Sequence, residues 1–139
     1  YISSSTFRNT VASSGSSLWA DGIITLSQTL LASSSPGYSN CAVGGGSLQD
    51  NGDNLQYGDA SCGATITQSV KDPFGQNVLS DNGGPTMTIA IIPTSEALDG
   101  VTGICSTGSD QRGYIRPYDG NGDGVSRCDI GAYEYYLGQ

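Results

Sequence analysis

The chain has 139 residues, room for one domain around one modest core, which excludes a multi-lobed enzyme with separate cofactor and substrate domains. Thirteen acidic against 5 basic residues give a net charge of −8 with no Lys/Arg cluster, which speaks against nucleic acid and anionic membrane as partners. Histidine is absent, and with it the commonest general base, the Ser–His and Cys–His nucleophile pairs and the commonest zinc ligand. Leu, Ile, Val and Phe make up 27 residues, near the lower limit for offsetting chain entropy, yet only 13% of residues are charged. Twenty Ser and 21 Gly then suit a turn-rich β protein better than a disordered tail.

The chain opens on Tyr1-Ile2-Ser3, which reads as the middle of a strand with no leader before it, so a mature form or a piece of a longer protein is expected. Ile2 to Thr10 aligns with Leu26 to Ser34 at an offset of 24 residues, the length of one turn of a β-solenoid. The same offset carries Phe7 to Leu31, Leu55 and Leu79, an expected inward stack whose later members rest on hydrophobicity alone. Turn signals at Ala20-Asp21-Gly22, Ser35-Pro36-Gly37 and Asn51-Gly52 separate short runs of small and β-branched residues, and no window has helical spacing. Residues 1–70 are thus expected to form β-helix turns. No apolar run approaches the roughly 18 residues of a membrane span.

Cys41, Cys62, Cys105 and Cys128 lack any CxxC knuckle, and two disulfides formed outside the cytosol are expected. Pairing Cys41 with Cys62 and Cys105 with Cys128 is the local choice among three connectivities. From Lys71 the repeat character fades into Gly- and Pro-punctuated segments with one short apolar strand expected at Met87–Ile92. Residues 71–139 are expected to supply the last turn and a cap that plugs the end of the coil, since a bare end exposes an interior and an unpaired edge.

Asn82-Gly83-Gly84-Pro85-Thr86, Ser95-Glu96-Ala97-Leu98-Asp99, Asp110-Gln111-Arg112-Gly113, Arg116-Pro117 and Cys128-Asp129-Ile130-Gly131-Ala132-Tyr133-Glu134 occur in that order. This order resembles the C-terminal region of secreted bacterial right-handed parallel β-helix proteins of the choice-of-anchor Q type. These are related in architecture to polymorphic outer-membrane and pectate-lyase-like helices. The sequence departs from that pattern at Glu96, where the family tends to have proline. The resemblance implies a large secreted or cell-surface protein and supplies no catalytic residue set.

Asp119-Gly120-Asn121-Gly122-Asp123-Gly124 places oxygens at alternating positions of a Gly-rich turn, the first half of a calcium loop. Ile130 stands where a bidentate acid would complete it, and Asp129 or Glu134 could close a different cage. A calcium site at Asp119, Asn121 and Asp123 and a plain Asx-rich turn both remain open, and calcium is the one cofactor the sequence offers. Arg112 and Arg116 read either as clamps for a carboxylate or phosphate or, more in keeping with their acidic neighbours, as donors fixing irregular backbone to Asp110, Asp129 and Glu134. A polysaccharide lyase or glycan binder is kept as an alternative by fold analogy alone: the acids are scattered, the single lysine, Lys71, stands in an expected turn, and Tyr133 and Tyr135, which could stack on sugars, alternate as a strand does and read rather as packing.

The expectation is therefore an all-β, right-handed parallel β-helix of about three turns with an irregular C-terminal cap, formed from a single domain over residues 1–139. Its expected role is non-enzymatic, extracellular and structural or adhesive at the cell surface. The expected partner is a second copy stacked head-to-tail into filaments, or further coil turns, with glycans as the alternative.

Overall fold

The computed structural model describes residues 1–10, 17–33, 38–76 and 78–138, and these form an all-β structure without helices. Its strands are β1 (Ile2–Ser3), β2 (Thr6–Arg8), β3 (Leu18–Ala20), β4 (Ile23–Ser27), β5 (Leu30–Ala32), β6 (Cys41–Val43), β7 (Ser47–Asp50), β8 (Leu55–Tyr57) and β9 (Thr67–Gln68). They pair in parallel into three sheets, ordered β1-β4-β7, β2-β5-β8-β9 and β3-β6. The turns foreseen at Asp21-Gly22 and Asn51-Gly52 fall between strands, while Ser35-Pro36-Gly37 lies outside the described residues.

Register follows the 24-residue offset where the sequence was clearest. Ile2 lies opposite Leu26, Phe7 opposite Leu31, and Ile24 opposite Leu48. The stack then departs from expectation, because Leu55 pairs with Leu30, and Gln56 takes the place opposite Leu31. The connection from Asp50 to Leu55 is one residue longer than that from Leu26 to Leu30, and Gly52 and Asp53 absorb the extra residue at φ of 91° and 52°. With a side-chain period of two, one inserted residue turns every following side chain to the other face. Leu79 joins no strand and is 57% exposed.

Alternation along β5 divides the core. Leu31 joins Leu18, Leu26, Cys41, Cys62 and Ile66, with Ile2, Phe7, Ile24 and Leu48 around them, in the space between the sheets. Leu30 and Ala32 point the other way and, with Leu55, pack against Phe74, Ile91, Ala97, Val101, Ile130 and Tyr133. The C-terminal half therefore lies along the outer face of the β2-β5-β8 sheet, where a plug at the end of the coil had been expected. Gly131 marks one close crossing between them. Its N–H donates to the Gln28 carbonyl, Ala132 N–H donates to Thr6 Oγ1, and a Cβ at Gly131 would stand 2.5 Å from that hydroxyl.

The β8–β9 connection packs against the Leu26–Leu31 core. Gln56, buried, donates through Nε2 to the Gly63 and Ile66 carbonyls and accepts from Cys62 N–H, which holds Cys62 and Ile66 against β8. After β9 the described residues form only isolated antiparallel bridges, Phe74 with Ile91 and Ser80 with Thr88 among them, in place of the strand expected at Met87–Ile92.

Candidate functional site

Without secondary structure to satisfy its backbone, the C-terminal half uses buried charge. Asp110 Oδ1 accepts from the N–H groups of Arg112 and Tyr114, at 2.8 and 3.0 Å, and its Oδ2 accepts from Arg112 Nε and Glu134 N–H, at 2.8 and 3.0 Å. The Arg112 guanidinium donates onward to the Asn82 and Glu134 carbonyls and lies between the rings of Tyr133 and Tyr114, 3.7 and 4.2 Å from their centroids. Arg116 donates to the Gly131 carbonyl, and its Nε sits 3.0 Å from Glu134 Oε2 as an ion pair whose N–H is not aimed along the contact. Glu134 accepts from Tyr118 and Asp129 N–H, and Asp129 from Asp99 and Tyr135 N–H. All five residues singled out in the sequence thus meet in one buried network.

Burial sets the electrostatics. It pushes Asp129 up to about 7, helped by the neighbouring Glu134 carboxylate and opposed by the two backbone N–H donors. Burial likewise raises Glu134 and lowers Arg116, the latter against the pull of Glu134, Asp110 and Asp129. One member escaped the sequence reading. Asp99, 5% exposed, accepts from Gly120 and Asn121 N–H and so ties the Ser95–Asp99 turn to the Asp119 loop. It has no arginine partner that could have drawn attention to it.

The oxygens of the Asp119 loop turn onto its own backbone. Asp119 accepts from Gly122, Asp123 and Gly124 N–H, Asn121 from Asp123 N–H, and Asp123 from Val125 N–H. Asp129 and Glu134, considered as closing ligands, face the buried network. Among the described residues no group of three or more His, Cys, Asp or Glu side chains is placed to hold a metal ion. The four cysteines pair as Cys41–Cys62 and Cys105–Cys128, which fits folding in an oxidising compartment. No helix among the described residues is long and apolar enough to cross a membrane.

Backbone groups without a strand partner gather along one edge of the three sheets. β1, β2 and β3 are the outermost strands of their sheets, with no strand above them among the described residues. Leu30 N–H donates to Ser5 O and Asn9 N–H to Ala32 O, so the alternation of a parallel ladder turns Phe7 toward β5 and the Thr6 N–H and C=O toward the open side. The same rule turns Ser3 and Trp19 upward, Ser3 O accepting from Ser5 Oγ. Ile2 and Phe7 are only half-buried there. Two clefts flank β2 where the C-terminal half rises beside it. One, of about 510 Å³, runs from Ser3 to Phe7 beside Ser109 and Arg116. The other, of about 320 Å³, runs from Thr6 to Thr10 against Leu79, Met87 and Ile89. No family model, curated protein or solved structure matches the chain.

Proposed function

We propose that the chain is a right-handed parallel β-helix segment of an extracellular, non-enzymatic structural or adhesive surface protein, joined to its neighbour through the β1–β2–β3 edge. The observation that carries this reading is the parallel pairing at 23- to 25-residue spacing from β1 through β8, ending in the strands β1, β2 and β3, which no other strand among the described residues covers. The opposite end also offers edges, β7 and β9, and a contact between unlike ends that does not close into a ring generates a filament. The two disulfides and the resemblance to choice-of-anchor Q helices support the extracellular placement. The charge network supports a scaffold role, because its carboxylates are occupied by backbone donors.

Sedimentation velocity over a wide concentration range, with electron microscopy of the same samples, tests the reading. Growing, linear assemblies are expected. Monomers at every concentration would contradict self-assembly. Discrete monomers that bind or cleave an acidic polysaccharide would favour the carbohydrate reading. That alternative has one observation behind it, a cleft of about 670 Å³ lined by Tyr133, Tyr135 and Pro93. The Tyr133 ring is already covered by Arg112, which leaves Tyr135 as the aromatic surface there.

A further inference from the structure

Strand β3 sets its middle residue outside. Leu18 and Ala20 are buried, and Trp19 between them stands 49% exposed on the outer face of the β3-β6 sheet. The ring is nevertheless fixed. Its Cζ2 and Cε2 occupy the space over Gly44, where a Cβ would lie 2.8 and 3.2 Å from them, and its indole N–H donates to the Asp21 carboxylate. Asp21 Oδ1 accepts in turn from Gly45 N–H at 3.2 Å, and a Cβ at Gly44 would lie only 2.2 Å from that oxygen. Gly44 does not take a left-handed φ, so its backbone does not ask for glycine; the position is kept clear for the ring and the carboxylate.

A tryptophan seated in this way offers solvent an electron-rich ring beside a negative charge. The indole hydrogen bond, and after it the Gly45 N–H, hold the Asp21 carboxyl below the usual carboxylate range, and no ion pair among the described residues includes it. Ring and carboxylate attract one kind of ligand. The quadrupole of the indole draws a cation over its face, the carboxylate adds Coulomb attraction at the ring edge, and a net charge of −8 favours the approach. The same field repels an acidic ligand, and a neutral one leaves the carboxylate unmatched. We propose that Trp19 and Asp21 form a binding site for a lysine or arginine side chain of a basic partner protein, the cation lying over the indole beside the carboxylate. This goes beyond the proposed assembly and does not depend on it, because the site lies on the face of a sheet and uses no strand edge.

Trp19 is the one tryptophan of the chain, so its fluorescence reports on this site alone. Titration of the wild-type chain at low ionic strength with an end-blocked tri-arginine peptide is expected to change the emission to saturation. End-blocked tri-citrulline, of the same shape and without charge, is expected to leave it unchanged. By calorimetry, Trp19→Leu, Asp21→Asn and Gly44→Ala are each expected to weaken tri-arginine binding about two- to fivefold, the first by removing the ring face, the second the charge and the third the seat. Asp81→Asn, which removes one charge from the C-terminal half, is expected to bind as the wild type does. Circular dichroism and thermal unfolding matching the wild type establish that the variants fold. Equal weakening by Asp21→Asn and Asp81→Asn would reduce the contact to overall charge and overturn the inference. So would an emission change with tri-citrulline or with the neutral oligosaccharide cellohexaose as large as that with tri-arginine, or no change with any of them. None of these outcomes touches the assembly reading, which sedimentation tests separately.

Discussion

Gly131 carries the contact between the two halves of the chain through what it lacks. Its φ of 106° suits glycine, and any side chain there would press on Thr6 Oγ1 and on Leu30 Cβ, 3.2 Å away. Gly131→Ala is expected to cost about 1–3 kcal/mol by denaturant unfolding, and a change within experimental error would contradict the crossing. Asp129 makes a second residue-level prediction. Its folded value, about 7, lies above its ordinary 3.8, so the folded state binds the proton more tightly than the unfolded chain. That contribution is complete below the ordinary value and is lost as pH rises through the folded one, and the upward shift of Glu134 has the same sign. The melting temperature is therefore expected to fall between about pH 4 and about pH 7; a flat or rising profile would contradict the upward shift of Asp129.

Among the elements, β5 separates the two cores, because Leu30 and Leu31 are both fully buried yet face opposite ways. Alanine at either should cost about 2–5 kcal/mol, with different local signatures. Leu30→Ala should raise amide exchange in the C-terminal half around Ile130, and Leu31→Ala around Leu26 and Ile66. The same signature from both would contradict the division. Much of the first rungs was legible in the sequence because Phe7 and Leu31 recur at the turn length between polar runs. The later rungs were not, since the extra residue at Gly52-Asp53 alters no hydrophobicity yet exchanges Leu55 for Gln56 inside. The charge network was legible because its members are conspicuous in a charge-poor chain. The flank position of the C-terminal half was hidden in backbone contacts of Thr6, Gln28 and Gly131, which leave no pattern in side-chain chemistry.

For the molecule as a whole, a charge of −8 opposes association of like copies. Assembly through strand edges and apolar contacts should consequently strengthen as salt screens that repulsion, and weakening with added salt would point to a contact held by ion pairs. The central proposal is a parallel coil whose β1–β2–β3 edge is uncovered among the described residues, and residue-resolved amide hydrogen exchange of the dilute chain tests it most directly. The account predicts alternation along the first rung, with Phe7 and Leu18 protected by β5 and β6 while Thr6 and Trp19 exchange rapidly. It further predicts that Thr6 gains protection as concentration rises. Protection of Thr6 and Trp19 equal to that of their neighbours in the dilute chain would mean that the edge is already covered, and would contradict the account.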